Sequence, residues 1–353
     1  MILLTKNPFA YKVWLMEEAK ITAFAKINIG LKIFDRRESG YHDIESLFQN
    51  VDIADTLRIR PNNLGKIVIE GDIGCAPEQS TIYRAAKHFS MEFEDKSPIT
   101  GVTIKIEKGI PSGAGLGGAG ADAAATLFGM NELFEKKLSK AELAGIGSRV
   151  ASDVAFFLYG GAAIVRGRGE YVSPIEPRTD YGLVILQPNW ASSTPEAYAA
   201  LDTYRAIRGI GHACTSEDAV HEYSINLPND QLEKIYRSPI QKWGFENDFL
   251  PVLAEKKKQY SEMLSLLQET RAAYVNLTGS GSCVFGVFDN AEAAQTAARA
   301  CLFLLSGEEI REQSLVAHII AAKPLARSMI VSYIQDCSED TRSDKERPCY
   351  GSY

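Results

Sequence analysis

A glycine-rich stretch between a strand pattern and a helix pattern constrains this chain most. Five glycines fall between Gly113 and Gly120, after alternating apolar residues at 102–106 and before an alanine-rich segment at 121–134. Glycine has no Cβ and adopts positive φ, so such a loop lets backbone N–H groups approach an anion at the positive end of a helix dipole. We therefore predict a strand, a phosphate-binding loop and a helix in this order.

The spacing of the glycines narrows the type of loop. No Gly-Lys-Ser or Gly-Lys-Thr follows, so the stretch is not a Walker A loop. A G-x-G-x-x-G pattern begins at Gly113, but a dinucleotide site needs a second strand after the helix. Residues 138–144 instead predict another helix, opened by a capping box between Ser139 and Glu142. A dinucleotide site is therefore disfavoured, and a plain tight turn remains the structural alternative.

Alternation over residues 21–33 predicts a long strand with one apolar face. Every odd position from Ile21 to Ile33 is apolar, and a period of two is typical of a strand. Lys26 and Asn28 lie between these positions and therefore project together from the opposite face. Two interpretations stay open: the two side chains face solvent, or they belong to a functional site.

Two further places in the sequence suggest chemistry. Tyr41 and His42 directly follow Gly40, and such a pair can stack on a planar ring and hydrogen-bond it. An ordinary surface or core role is the alternative for this pair. Asp153 lies directly before the apolar run 154–158, where a carboxylate is partly desolvated and needs a partner. The alternative for Asp153 is a helix N-cap.

The rest of the chain predicts helices mixed with short strands. In the first half we expect a hairpin of residues 56–60 and 66–70, a helix at 81–93, and strands at 41–51, 162–165 and 171–175. In the second half we expect strands at 183–186, 274–277, 283–288 and 316–321, and helices at 193–201, from about 253 to 270, and at 291–305. Thr194 is the expected N-cap of the helix at 193–201.

The composition is that of a globular protein and excludes several functional classes. The chain has 353 residues, 45% of them hydrophobic, enough for one or two domains with substantial cores. A net charge of −7 without a Lys/Arg cluster argues against a nucleic-acid partner. Six scattered cysteines without a C-x-x-C pair indicate neither a metal site nor redox chemistry. Neither a signal-peptide pattern nor a membrane-spanning run is evident, so we predict a soluble, cytoplasmic protein without a membrane partner.

Four motifs in order resemble the GHMP kinases, which phosphorylate alcohols such as galactose, homoserine and mevalonate. The glycine loop at 111–118 resembles the central motif, and residues 23–31 are similar to the Ala-Pro-Ala-Lys-x-Asn opening. Residues 278–285 resemble the third motif, a second glycine loop. The segment 37–48, which contains Gly-Tyr-His, is typical of a branch in the non-mevalonate pathway of isoprenoid (terpenoid) biosynthesis. The alcohol of that branch carries a cytidine diphosphate group.

The resemblance implies an α+β fold with two domains. The N-terminal domain would be similar to ribosomal protein S5, and the C-terminal domain would be a ferredoxin-like α/β domain. Prolines 174 and 177 suggest a boundary between them. We therefore expect an uncertain leader at 1–18, the N-terminal ATP-binding and catalytic domain at 19–177, the C-terminal domain at 178–325, and a disordered, charged tail at 326–353.

The resemblance also implies roles for the candidate residues. Lys26 and Asp153 would be the catalytic pair, with Asp153 deprotonating the substrate hydroxyl. The substrate would be held by four residues, two of them beside the cytosine and an aromatic one on its other face: Asn28, Tyr41, His42 and Tyr198.

ATP with Mg²⁺ is the implied cofactor. It would be bound by the first glycine loop, namely Pro111, Ser112, Gly113, Ala114, Gly115, Leu116, Gly117, Gly118, Ala119, Gly120 and Ala121. The second glycine turn, with Gly279, Ser280 and Gly281, would approach the phosphates. The chain departs from the family in one respect, because Gly120 and Ala121 replace two serines, one of which contacts phosphate or Mg²⁺. We expect this change to affect the rate more than nucleotide binding.

The expected activity is ATP-dependent phosphorylation of the 2-hydroxyl of a cytidine-diphosphate-linked methylerythritol. Two alternatives remain: another GHMP kinase with a different alcohol, or a nucleotide-binding regulator with weakened catalysis. The Tyr41–His42 pair argues against the first, and retention of Lys26 and Asp153 argues against the second. The expected partner is a small-molecule substrate, and the sequence leaves open whether the protein is a monomer or a homodimer.

Overall fold

A computed structural model shows a mixed α+β protein built on two sheets, as the sequence predicts. It describes residues 17–94, 98–210, 227–306 and 315–334. The strands in these ranges are β1 Glu18–Arg36, β2 His42–Pro61, β3 Ile67–Glu70, β4 Val102–Glu107, β5 Ala162–Gly167, β6 Tyr171–Ile175, β7 Gly182–Pro188, β8 Tyr274–Leu277, β9 Val284–Phe288, β10 Val316–Ala322, β11 Pro324–Leu325 and β12 Met329–Ile334. The α-helices are α1 Thr81–Met91, α2 Gly118–Leu133, α3 Lys140–Gly147, α4 Val154–Tyr159, α5 Thr194–Arg208, α6 Asn229–Arg237, α7 Phe249–Lys256, α8 Gln259–Glu269 and α9 Ala291–Leu304.

The first sheet is organised around two long antiparallel strands. β1 and β2 pair from Ala19 opposite Ile59 to Arg36 opposite His42. β4 and β5 both pair with β2 along different parts of its length, which is possible because β2 has 20 residues. The strand predicted at 21–33 is confirmed and is longer at both ends.

The hairpin predicted between residues 56–60 and 66–70 is wrong. Both segments are strands, but β4 lies between them, antiparallel to β2 and parallel to β3. Ile104 of β4 is opposite Ile59 on one side and Ile69 on the other. Alternation shows that a segment is a strand and which face is apolar, but it does not identify the neighbouring strand.

Helix α2 lies closely against the first sheet. It contacts α1, α4, β1 and β2, and most of its residues are buried. A Cβ added to Gly129 would lie 2.6 Å from the Cδ1 atoms of both Ile21 and Ile59, so glycine permits this close approach. Helix α3 follows directly, with the predicted capping box between Ser139 and Glu142. The arrangement therefore differs from a dinucleotide-binding fold, as predicted.

The second sheet has the strand order β10-β7-β9-β8, with antiparallel pairs throughout. Helices α5, α7, α8 and α9 contribute buried residues to the same apolar core as this sheet. All four of its strands, and helix α9, lie where the sequence predicts them. Their short apolar runs between turn residues gave a clear signal.

Four helices of the second half, α5 to α8, differ from the prediction. The N-cap of α5 is Ser193, whose hydroxyl accepts from the backbone N–H of Glu196, and Thr194 is the first helical residue. The single long helix expected up to residue 270 is two helices, α7 and α8, and helix α6 was not predicted. The segment 204–228, expected to be a surface excursion, includes the end of α5, while residues 211–226 lie outside the described part of the chain.

The chain returns to the first sheet near its C-terminal end. Pro324 of β11 is opposite Val51, and β12 pairs with β1, with Met329 opposite Ala23. The prediction of a disordered tail from residue 326 is therefore wrong for 329–334, and the predicted second domain ends in a strand of the first sheet. Residues 1–16 and 335–353 lie outside the described ranges. In the described part of the chain, none of the helices has the length and apolarity needed to cross a membrane.

Candidate active site

A cavity of about 1100 Å³ contains nearly all of the residues singled out from the sequence. This volume is slightly above the usual range of about 300–1,000 Å³ for small-molecule sites, so the cavity accommodates more than one ligand group. The predicted residues that line it are Lys26, Asn28, Tyr41, His42, Pro111, Ser112, Gly113, Ala114, Gly115, Leu116, Gly117, Gly118, Ala119, Gly120, Asp153, Tyr198, Gly279, Ser280 and Gly281.

The first glycine loop has the geometry of an anion site. Gly113, Gly115 and Gly117 have φ of +64°, +76° and +75°, which residues with a Cβ rarely adopt. Helix α2 begins at Gly118, and no side chain caps its first N–H groups. These groups carry the positive end of the helix dipole and lie at the cavity, so they can bind phosphate oxygens.

The second glycine turn packs directly on the first loop. A Cβ on Gly115 would lie 2.1 Å from the carbonyl oxygen of Thr278, so only glycine permits this approach. The Thr278 hydroxyl donates to the carbonyl of Gly115 at 2.9 Å, and the N–H of Cys283 donates to that of Ala114 at 3.2 Å. The two segments therefore hold each other in place, although 163 residues separate Gly115 from Thr278 in the chain.

Lys26 lies on the floor of the cavity and is 6% exposed, so the solvent-facing interpretation is wrong. The glycine loop covers this face of β1, because the N–H of Lys26 donates to the carbonyl of Leu116 at 3.0 Å. Its Nζ donates to Asn28 Oδ1 and, at 3.0 Å, to the carbonyl of Gly115. Burial lowers the pKa of Lys26 to about 8, although the charge of Asp153 works against this shift.

Asp153 occupies the N-cap position of α4, but its side chain does not cap the helix. The carboxylate instead packs against the start of α2, where a Cβ on Gly120 would lie 2.3 Å from Oδ1. Burial raises the pKa of Asp153, and the nearby Lys26 ammonium lowers it only in part. This arrangement favours a functional role over a structural cap.

The close contact at Gly120 explains one departure from the family pattern. The carboxylate of Asp153 fills the space that a serine side chain at residue 120 would need. Ala121 does not line the cavity but packs in the hydrophobic core and is 2% exposed. As the fourth residue of α2, it is rotated away from the loop, so the geometry does not support the predicted contact between Ala121 and ATP.

The aromatic residues form a pocket in another part of the cavity. The rings of His42 and Tyr198 stack with centroids 4.8 Å apart, and Tyr198 packs edge-on against Phe249 at 4.9 Å. Nε2 of His42 lies 2.8 Å from Asp202 Oδ1. Tyr41 is 58% exposed, with the Arg168 guanidinium 5.1 Å from its ring centroid. We call the group formed by Tyr41, His42, Tyr198, Asp202 and Phe249 the base pocket.

Sequence reasoning missed an ionic cluster at the cavity wall. Lys108 Nζ donates to Asp55 Oδ2 at 2.5 Å and to Asp122 Oδ2 at 2.9 Å. Burial raises the pKa of Asp122 to about 7, with the Asp55 charge adding to the shift and Lys108 opposing it. The cluster connects Asp55 of β2 to Asp122, the fifth residue of α2. The sequence offered one indication of this cluster, since Asp122 is a lone acidic residue within the alanine run of α2.

The cavity also extends beside helix α1, which sequence reasoning did not connect with the site. The Thr81 hydroxyl donates to the carbonyl of Ala119 in the glycine loop at 2.7 Å. The remaining lining residues of this region are Ile73, Cys75, Gln79, Ser80 and Ile82. No sequence motif marks these residues, and only the fold brings them next to the loop.

Two family models match the chain, one in each half. The model described as the GHMP kinases N terminal domain matches residues 80–161, and the GHMP kinases C terminal model matches residues 231–304. The first match includes the glycine loop and Asp153, and the second includes the turn with Gly279. The fold and the loop therefore define a GHMP kinase, in agreement with the sequence resemblance.

Individual relatives make the assignment more specific. The 4-diphosphocytidyl-2-C-methyl-D-erythritol kinase of Thermodesulfovibrio yellowstonii is 36% identical over 275 residues, which cover 78% of this chain and 91% of that protein. The kinase of the same name from Clostridium tetani is 32% identical over 285 residues, with coverages of 79% and 94%. The chain belongs to the family of 4-diphosphocytidyl-2-C-methyl-D-erythritol kinases.

Solved structures agree with this placement. A crystal structure of 4-(cytidine 5'-diphospho)-2C-methyl-D-erythritol kinase superposes with a TM-score of 0.65 and 26% identity, covering 86% of this chain and 98% of that one. Homoserine kinase from Cytophaga hutchinsonii gives a TM-score of 0.64 at 17% identity, covering 94% of this chain and 99% of that one. The second likeness shows a shared fold alone.

Proposed function

We propose that this protein transfers the γ-phosphoryl group of ATP to the 2-hydroxyl of 4-diphosphocytidyl-2-C-methyl-D-erythritol. The observation that carries the proposal is that Lys26, Asp153 and the anion-binding loop meet in one cavity that also contains the base pocket. Phosphoryl transfer depends mostly on positioning and on charge stabilisation, and these groups supply both. The names of the relatives at 32% and 36% identity describe the same activity.

In the proposed reaction, Asp153 acts on the attacking hydroxyl. Its carboxylate accepts the proton while the hydroxyl oxygen forms a bond to the γ-phosphorus, and the bond from phosphorus to the bridging oxygen breaks to release ADP. Burial raises the pKa of Asp153, and the charge of the Lys26 ammonium opposes this rise, so Lys26 favours the ionised form that accepts the proton. The same positive charge stabilises the charge that develops on the transferring group.

The residues present fit ATP and Mg²⁺. The uncapped N–H groups at the start of α2 and the crowded glycines of the loop form a cradle that a Cβ would fill. Asp122 lines the cavity, and its buried Oδ1 has no hydrogen-bond partner among the residues that the structure describes. Mg²⁺ is commonly held by one or two carboxylates together with phosphate oxygens, so Asp122 would hold it and Asp153 stays available as the base. When bound, it neutralises charge on the phosphates.

The base pocket supports the cytidine end of the proposed substrate. A base that stacks on Tyr41 or Tyr198 and hydrogen-bonds His42 would direct its sugar alcohol along the cavity towards Asp153. The region beside Thr81 then accommodates the ATP base, since it adjoins the loop at Ala119. We further propose that the boundary between the two domains lies near residue 177. We also propose that the protein is cytoplasmic.

A direct assay tests the proposal. Purified protein is incubated with ATP, Mg²⁺ and a panel of alcohols: the cytidylylated methylerythritol, homoserine, mevalonate and galactose. We expect ADP formation with the cytidylylated alcohol alone, and ³¹P NMR of the product should show a new phosphomonoester on the 2-hydroxyl. Turnover of homoserine or mevalonate instead would support the alternative GHMP kinase, and nucleotide binding without turnover would support a regulator.

A further inference from the structure

Helix α5 holds the ring of His42 by two of its sides. Tyr198 stacks on the face of the ring, and Asp202, one helical turn later, contacts its edge at 2.8 Å through Nε2. Residues four apart lie on the same side of a helix, so both contacts come from one surface of α5. His42 is 8% exposed, whereas the side chain of Asp202 is 35% exposed. Two side chains of α5, and not the glycine loop, therefore fix the position of the His42 ring.

We propose that Asp202 is a positioning residue that makes Nδ1 of His42 a hydrogen-bond acceptor, and that this selects cytosine over uracil in the substrate. The inference rests on the proposed function, because it concerns the base that the pocket binds. It assigns Asp202, which no motif in the sequence marks, to substrate specificity.

The tautomer of His42 follows from its partner. A carboxylate accepts hydrogen bonds and does not donate them, so Nε2 must carry the proton in the contact with Asp202. In a neutral imidazole, the other nitrogen is then an acceptor. Within the described ranges, no protein group hydrogen-bonds Nδ1, and His42 lines the cavity. Nδ1 is thus available to accept a hydrogen bond from a ligand in the cavity.

An acceptor at this position distinguishes the two pyrimidines. Cytosine carries an exocyclic amino group, which is a donor, where uracil carries a carbonyl oxygen, which is an acceptor. The amino group pairs with Nδ1, whereas a uracil bound in the same position would place two acceptors against each other and leave both unpaired. Leaving polar groups unpaired on binding costs more than the hydrogen bond alone contributes.

Replacing the carboxylate by an amide removes the control over the tautomer. In Asp202→Asn the side chain can donate to Nε2 as well as accept from it, so Nδ1 is free to carry the proton. Replacement of Asp by Asn has this effect on the histidine of serine proteases, where the geometry remains but the wrong tautomer forms. We expect the preference for cytosine to fall, while stacking on Tyr198 persists.

The experiment measures CDP and UDP binding by calorimetry at pH 8, for the wild type, Asp202→Asn and the control Glu196→Gln. The control removes one exposed carboxylate from α5 at a residue that does not line the cavity. We expect the wild type and control to bind CDP at least tenfold more tightly than UDP, and the ratio to fall about tenfold in Asp202→Asn. An unchanged ratio in Asp202→Asn overturns the role of Asp202. A wild type that does not distinguish CDP from UDP overturns the cytidine assignment as well.

A second measurement needs no change at Asp202. ¹⁵N NMR of the imidazole nitrogens reports the tautomer directly, and a His42→Gln spectrum identifies the His42 signals among the five histidines. We expect a protonated Nε2 and an unprotonated Nδ1 at pH 8 in the wild type. A protonated Nδ1 with an unprotonated Nε2 would overturn the proposal.

Discussion

The proposed catalytic region around Lys26 and Asp153 and the proposed base pocket of this cavity are built in different ways. Around Lys26, backbone groups of the two glycine segments and of β1 are joined by hydrogen bonds. The carbonyl of Gly115, for example, accepts from both Lys26 and Thr278. In the base pocket, single side chains make the contacts, and Tyr41 is 58% exposed. Changes in the catalytic region should therefore displace reacting groups and alter kcat, whereas changes in the base pocket should alter KM.

The largest effect is expected from Asp153→Asn. The amide cannot accept the hydroxyl proton, and loss of a general base lowers rates about 10²–10⁴-fold. We expect kcat to fall in this range with KM for ATP little changed, as measured by steady-state kinetics. A folded variant with near-normal kcat would return Asp153 to a structural role and remove the distinction between the two regions.

A somewhat smaller loss is expected from Gly120→Ser, although this change restores a family serine. The new side chain would meet the Asp153 carboxylate at 2.3 Å, so Asp153 must move. Displacement of a reacting group by about 1 Å costs about 10²-fold in rate. The control is Ala121→Ser, where a buried hydroxyl should lower thermal stability but leave the Mg²⁺ dependence unchanged. A gain in kcat for Gly120→Ser would show that the missing serine limits the reaction.

In the base pocket, His42→Ala should raise KM for the cytidylylated alcohol by about tenfold, since an unpaired polar group costs about 1–3 kcal/mol on binding. KM for ATP and kcat should change much less. Equal increases in the two KM values would contradict the separation of the two regions.

The smallest effect is the pH dependence near neutrality. Asp153 must be ionised and its pKa is raised, so kcat/KM should rise with pH through that pKa. Lys26 must be protonated and its pKa is about 8, so kcat/KM should fall up to about tenfold per pH unit above that value. In Lys26→Arg the charge persists at all these pH values, and the fall should disappear even though the overall rate is lower. Persistence of the fall would assign it to another group.

Most strands and the glycine loop were predictable because periodicity and glycine content act locally. The order of strands was not, since β4 lies between two segments that alternate equally well. β12 was missed because the charged segment after it led us to expect a disordered tail from residue 326, although β12 pairs with β1. The N-cap of α5 is Ser193 and not Thr194 as predicted, because both residues are good N-caps and the sequence does not distinguish them.

The site itself was predicted in part. Lys26, Asp153 and the loop carry recognisable motifs, and the structure brings them together. Asp202 and Lys108 have no such motif, because their importance comes from contacts across 160 residues for Asp202 and 53 for Lys108. Ala121 was assigned to the loop because helix rotation at its first turn is not evident from the sequence.

The central claim is that Lys26 and Asp153 act as one unit on the hydroxyl that the base pocket directs towards them. A double-mutant cycle of Lys26→Ala and Asp153→Asn, measured as kcat for ATP-dependent phosphorylation of the cytidylylated alcohol, tests it most directly. Residues that act as a unit are non-additive, so we predict that the double variant is little slower than the slower single variant. Two losses that multiply in the double variant would contradict the account.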